Sequence, residues 1–385
     1  MEREQAVRLT QNLLKKMVEK EGSDLFITCG FPPAIKVDGS VHKATDTPLT
    51  ADQSAMMVRS IMNDKQVKEF DATKECNFAI APQGIGRFRV SAFIQQGMVG
   101  AVLRTITTEI PTLEGLNLPP ILKDVVMNKR GLVIVVGGTG SGKSTTLAAM
   151  IGHRNKHSKG HIISIEDPVE YVHPHEGCVI TQREVGVDTE TWHAALKNTL
   201  RQAPDVIMIG EIRDRETMEY GIQFSETGHL CLATLHANSA NQALDRIINF
   251  FPEERRTQLL MDLSLNTKAF VSQRLVPRET GIGRIAAMEI MLNSPLIADL
   301  IFKGEVGHIK EIMAKSTRLG MQTFDQALYT LYEDADISYE EAMRNADSKN
   351  ELRLRIKLES KRESSIADQQ SESLRIMEED TAKTY

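Results

Sequence analysis

Residues 132–144 read Leu132-Val133-Ile134-Val135-Val136-Gly137-Gly138-Thr139-Gly140-Ser141-Gly142-Lys143-Ser144. Five consecutive apolar residues, mostly β-branched, predict a strand buried on both faces, as in a parallel sheet. The next eight residues match GxxxxGK[ST] at every fixed position, and 145–152 carry a helical pattern. Strand, glycine-rich loop and helix in that order form a phosphate cradle. The glycines admit backbone N–H groups to the phosphates with no Cβ in the way, and the helix N-terminus adds partial positive charge. Gly137, Gly138, Thr139, Gly140, Ser141, Gly142 and Thr145 are therefore expected to wrap the phosphates of ATP. Lys143 is expected to neutralise the β- and γ-phosphates, and Ser144 to hold Mg2+.

Outward from the loop, β-branched runs at 162–165, Val206–Ile209 and 231–235 alternate with helical stretches. One such stretch, 191–203, places Trp192, Leu196, Leu200 and Ala203 on a stripe that Pro204 ends. The alternation predicts a doubly wound, mainly parallel α/β sheet. Upstream, 2–21 reads as a helix with Val7, Leu14, Met17 and Val18 on one side, followed by a strand at 24–28. Ala34–Val37 and 40–42 form a hairpin about Asp38-Gly39. Thr50 with Gln53 opens a helix running to about Asn63, and strands follow at 87–94 and 99–106. Residues 1–106 are expected to form a small mixed α/β domain, and 107–118, with Pro111 and Gly115 before Pro119 and Pro120, a linker. The nucleotide-binding domain is expected over 119–290 and a helical region over 291–349. Residues 350–385 are a charged tail, either a solvated helix or a flexible segment.

Composition narrows the function. The 385-residue chain has a net charge of −6, against the basic excess that tracks nucleic-acid phosphates. Its four cysteines, Cys29, Cys76, Cys178 and Cys231, are widely spaced and form no zinc or disulfide pattern. The amphipathic N-terminus lacks a signal-peptide core, and no apolar run approaches a membrane span. A cytoplasmic protein is expected.

Hydrolysis requires one acid on the metal side and another to orient water. Glu166-Asp167, in IISIEDPVEY, follow one strand, and Glu211, in PDVIMIGEIRD, follows another. Gly210 stands where such a strand usually carries Asp, leaving the metal-side role to Glu211, partly through water. Glu166 is expected to orient water; Asp167, before a proline, suits a turn. His229 and His236 bracket the 230–235 strand, where either is a structural residue or a sensor of γ-phosphate charge. Arg87 and Arg89 share one strand face, opposite Phe88 and Val90, and Arg104 lies on the next strand.

GGTGSGKST, IEDPVEY, the GEIRD strand and TGHLCLATLHANSA, in that order, resemble the Walker A, Asp box, Walker B and His box of secretion-type ATPases related to GspE and VirB11. The likeness is strongest to pilus retraction ATPases of the PilT and PilU type. It implies a PAS-like N-terminal domain, a RecA-like ATPase domain and a homo-hexameric ring. The ring would act at the cytoplasmic face of the inner membrane, on a pilus platform protein, to drive retraction and twitching motility. It also implies Glu166 as catalytic glutamate, Glu211 as Walker B glutamate, His229 as the phosphate-proximal histidine, and Arg87 and Arg104 as arginines completing the site. PilT-type proteins carry Ala-Ile-Arg-Asn-Leu-Ile near the C-terminus, where this chain has Leu296-Ile297-Ala298-Asp299-Leu300-Ile301. With the charged tail, that departure points to the accessory, PilU-like branch, working beside a PilT-like partner. An assembly or secretion ATPase, or a nucleotide-bound adaptor without turnover, would carry the same motifs.

Overall fold

The computed structural model describes residues 2–37, 39–106 and 109–362. Within these limits they fall into two compact units: residues up to 135, 143–235 and 247–268 in one, and 136–142, 236–246 and 269–362 in the other.

The first unit opens with α1 (Arg3–Glu19), which buries Ala6, Leu13, Leu14 and Met17. Their 3-, 4- and 7-residue spacing marks one helix face. Val18, expected on that stripe, is instead exposed. β1 (Asp24–Ile27), β2 (Ala34–Val37) and β3 (Ser40–Lys43) follow, with Val37 opposite Ser40 across the expected hairpin; Asp38 lies outside the described residues. α2 (Ala51–Ser60) begins with the expected capping box, Thr50 Oγ1 accepting from Gln53 N at 3.2 Å and the Gln53 side chain accepting from Thr50 N at 2.9 Å. α3 (Asp64–Thr73) and β4 (Glu75–Ile80), not expected from the sequence, come next. Asn63, expected near a helix end, is the N-cap of α3 through a second capping box with Gln66. β5 (Arg87–Gln95) and β6 (Met98–Ile106) complete an antiparallel sheet in the order β3-β2-β1-β6-β5-β4.

Residues 109–118 carry buried Leu113 and Leu118, and the Ile110 side chain sits where a Cβ on Gly152 would meet it at 2.8 Å. This part of the expected linker is packed. α4 (Ile121–Met127), β7 (Gly131–Val136), α5 (Lys143–His157), β8 (Gly160–Glu166) and β9 (Cys178–Glu184) come next. Then follow α6 (Trp192–Thr199), β10 (Val206–Ile209), α7 (Arg215–Glu226) and β11 (Leu230–Leu235), then α8 (Ala240–Asn249), most of which belongs to the second unit, and, back in the first, α9 (Glu253–Asn266). The strands of this unit neighbour one another as β7-β11-β10-β8-β9, with β11, β10, β8 and β9 parallel. β7, β10 and β11 are buried throughout, as their unbroken apolar runs require. β9, unforeseen from the sequence, is an edge strand with polar residues.

In the second unit, β12 (Thr267–Pro277) and β13 (Arg284–Leu292) form an antiparallel pair. Helices alone follow: α10 (Pro295–Lys303), α11 (Ile309–Lys315), α12 (Phe324–Glu333), α13 (Tyr339–Asn345) and α14 (Lys349–Glu359). α14 covers the first residues of the expected charged tail, yet Leu352 and Ile356 are buried in one core with Phe324, Leu328 and Tyr332. Residues 363–385 lie outside the described residues. Leu352→Ala is expected to destabilise the protein by about 2–4 kcal/mol, the usual cost of emptying a leucine site. A urea midpoint within error of wild type would show that α14 is a solvated helix. Among the described residues, no helix is long and apolar enough to cross a membrane.

Candidate active site

The glycine loop is built for close approach. Gly140 (φ +74°) and Gly142 (φ +89°) occupy the left-handed region, where a side chain is strained. A Cβ on Gly142 would meet Gln273 Nε2 at 2.7 Å and one on Gly137 would overlap Ser141 Oγ, whereas Gly138 and Gly140 face open space. The loop is thus closed on one side and open on the other. Ser141 Oγ is buried and makes no hydrogen bond, an orphaned donor that suits a phosphate oxygen. α5 starts at Lys143, so the first N–H groups of this 15-residue helix lack helical partners there. Burial draws the Lys143 pKa down, against the opposing pull of the Glu211 and Glu170 carboxylates. Glu170 was not singled out from the sequence. The Thr145 hydroxyl lies 3.0 Å from that of Tyr171.

Glu166 closes β8 and is 7% exposed. Ser164 Oγ donates to its Oε1 at 2.6 Å and Gln182 Nε2 donates to the same oxygen at 3.1 Å. Burial dominates and pushes the carboxyl up to about 6, against these hydrogen bonds and one from the Glu170 backbone. A carboxylate poised near neutrality, oriented by two donors, can take a proton from water. Ser164 was legible, since residues two apart share a strand face; Gln182 depends on the pairing of β8 with β9.

Gly210 and Glu211 leave β10 beside this carboxylate, Gly210 N donating to Ile165 O at 2.7 Å. A Cβ on Gly210 would stand 3.1 Å from both Glu166 Cα and Ile165 O. Those atoms are strand backbone, so the space explains why the usual aspartate is absent. Gly210→Ala is expected to lower turnover about tenfold and stability by about 1–3 kcal/mol through overpacking, read from kcat and a thermal melt; wild-type values for both would refute the steric account. Glu211 accepts from Arg213 Nε at 2.6 Å, and Arg213 Nη1 reaches Asp167 Oδ2 at 3.6 Å. Glu166, Asp167, Glu170, Glu211 and Lys143 thus gather at the C-terminal ends of parallel strands, where open α/β sheets receive ligands.

His229 requires a correction. β11 runs parallel to β10 with Leu230 opposite Val206, so His229 precedes the strand at the end remote from the acids. Six strand residues amount to about 20 Å. His229 O accepts from Gly131 N, at the start of β7, at 3.0 Å, and its Nδ1 lies near Thr227 Oγ1 and Phe224 O, where α7 ends. Its position is that of a structural residue. His236, directly after β11, instead lines a cleft of about 320 Å3 with Gly138, Asn238, Gln242 and Arg246.

On β5, Arg87 and Arg89 do share a face, opposite buried Phe88 and Val90. Arg87 Nε is buried without a hydrogen-bond partner. Arg104, opposite Arg89 in the register, donates from Nε to Asp24 Oδ1 at 2.7 Å. The Asp24 side chain is 6% exposed, so Arg104 compensates a buried carboxylate. Loss of turnover in an Arg104 variant would therefore mix chemistry with the cost of an unpaired buried charge. No group of three or more His, Cys, Asp or Glu clusters as for a metal among the described residues.

The family model "Type II/IV secretion system protein" matches residues 2–288. The chain is 61% identical over 374 residues to the type IV pilus ATPase PilU of Pseudomonas aeruginosa, across 97% of this chain and 98% of that one. It is 42% identical to PilT of the same organism, a type IV pilus retraction ATPase, across 87% of this chain and 97% of that one. Among solved structures, that of the pilus retraction motor PilT with bound ADP superposes with a TM-score of 0.83 at 38% identity, covering 89% of this chain and 98% of that chain.

Proposed function

The chain belongs to the type II/IV secretion system protein family, among its type IV pilus ATPases, and from that premise we propose that it hydrolyses ATP as a subunit of a hexameric retraction motor. The observation that carries the reading is Glu166: a buried carboxylate with a pKa near 6 at the end of β8, in a chain that carries a complete phosphate-loop motif. Glycines 137, 138, 140 and 142, with Thr139, Ser141 and Thr145, wrap the phosphates; Lys143 neutralises them. Ser144 and Glu211, the latter partly through water, would hold Mg2+, which would supply charge neutralisation at the phosphates. Glu166 orients and deprotonates the attacking water. His236 takes the phosphate-sensing position expected of His229. Arg87 and Arg104 are the arginines expected to complete the site, Arg104 with the structural duty to Asp24 described above.

The motor sits at the cytoplasmic face of the inner membrane, where it turns a pilus platform protein and supports twitching motility. It assists a PilT-like partner. Two features support an accessory role: the 61% identity to PilU, and α10, where Asp299 pairs with Lys303 at 2.7 Å in the segment that carries Arg in PilT-type proteins. Deleting the gene in its host separates the readings. A retraction subunit leaves pili present but slow or unable to retract under load. Loss of surface pili would favour an assembly or secretion ATPase. Full rescue by a Glu166→Gln allele would favour an adaptor without turnover.

A further inference from the structure

Beyond Glu166 itself, the β8–β9 pair carries a built polar support. Ser164 lies opposite Gln182 and Glu166 opposite Glu184 in the register. Residues two apart share a face, so Ser164 and Glu166 project from β8 beside Gln182 on β9. All three hydrogen-bonding functions of the Gln182 amide are used. Its Oε1 accepts from His173 N at 2.8 Å, while Nε2 donates to Glu166 Oε1 at 3.1 Å and to Tyr171 O at 2.8 Å. The orientation of the amide is forced, because a backbone N–H can only donate and the nitrogen must therefore face Glu166. Tyr171 continues the chain of contacts, its hydroxyl 3.0 Å from Thr145 Oγ1 in the first turn of the helix after the phosphate loop.

We propose that Gln182 is a positioning residue for Glu166, fixing one carboxylate rotamer through a donor that Tyr171 and His173 hold in place. Its link through Tyr171 to Thr145 ties that rotamer to the helix that receives the phosphates. The inference rests on the reading of Glu166 as the group that activates water. A donor aimed at the carboxylate favours its charged form, so removing the donor makes the proton harder to lose. The other groups around Glu166 do not replace it. Glu170 opposes ionisation. Glu184 turns its Oε2 to Val169 N. His173 stays neutral, its pKa held at about 4 by burial. Gly210 and Trp192, on the β10 and α6 sides, carry no titratable group.

The test follows the protonated-carboxyl infrared band of Glu166 in the full-length protein across pH, assigned by its loss in Glu166→Gln. Gln182→Met, isosteric without a donor, is expected to move the midpoint up by about one pH unit. It should also lower kcat about tenfold or more, with ATP affinity near wild type. A merely structural role would lower stability and leave the midpoint alone; an unmoved midpoint overturns the proposal. Should Gln182→Met fail to fold, Gln182→Glu serves, since a second carboxylate beside Glu166 raises the midpoint further. Turnover separates the two readings. A wild-type kcat in Glu166→Gln overturns the water-activating role of Glu166 and Gln182's with it, whereas an inactive Glu166→Gln beside an unmoved midpoint in the Gln182 variant overturns only the latter.

Discussion

Glu166→Gln is expected to lower steady-state ATP turnover about 10²–10⁴-fold, the usual contribution of a positioned general base. ATP affinity should stay within a few-fold of wild type, because Glu166 lies at the end of β8 and outside the loop that cradles phosphate. In the wild type, water activation needs the ionised carboxylate, so kcat should rise from pH 5 to 7 with a midpoint near 6. Stability should move the opposite way. The carboxyl rises from 4.5 to about 6 on folding, so the folded state holds the proton more tightly than the unfolded chain. The stability gained from holding it is present below pH 4.5 and is lost as pH rises through 6. Glu166→Gln removes the buried charge and should be more stable than wild type at pH 7.5 by about 2 kcal/mol, from about 1.4 kcal/mol per pKa unit. An inactive, stabilised variant would mark Glu166 as a residue kept for chemistry at the expense of the fold. A destabilised one would mean that Ser164 and Gln182 serve to hold the strands together.

Lys143→Ala carries the second large effect, an expected loss of about 10³-fold in kcat/KM from removing the group that neutralises the transferred phosphate. Its cause differs from that of Glu166→Gln, and so does its signature. Lys143 is expected to neutralise the β- and γ-phosphates in the bound state as well as during transfer, so its removal weakens ATP affinity together with turnover. Isothermal titration with ATP separates the two variants, with binding kept in Glu166→Gln and lost in Lys143→Ala. Tight ATP binding by Lys143→Ala would place the phosphates elsewhere than on this loop.

The parts of this molecule that were legible in sequence are those set by local rules. Residues 132–144 give strand, loop and helix because an unbroken, mostly β-branched apolar run, glycines at fixed spacing and the helical pattern that follows each have a local physical meaning. Thr50 and Gln53 likewise announce a helix start. What was missed depends on partners distant in sequence. β9 alternates weakly, since it is an edge strand whose second half, Thr181–Glu184, is polar, and its Gln182 acquires a purpose only by lying opposite Ser164. α3 escaped because its single buried residue, Phe70, leaves no apolar stripe to count. α14 resembled a solvated charged segment because two buried residues, Leu352 and Ile356, suffice to dock it. His229 and His236 could not be told apart by spacing, since only the parallel register of β10 and β11 says which end of the strand faces the acids.

Steady-state Mg·ATP hydrolysis by the purified protein, with mass measured on the same sample and Glu166→Gln alongside, tests the central claim most directly. The expected result is turnover by a hexamer, lost in the variant while ATP is still bound. A hexamer that binds ATP without hydrolysing it, alone and beside a PilT-like partner, or a monomer with full activity, would contradict it.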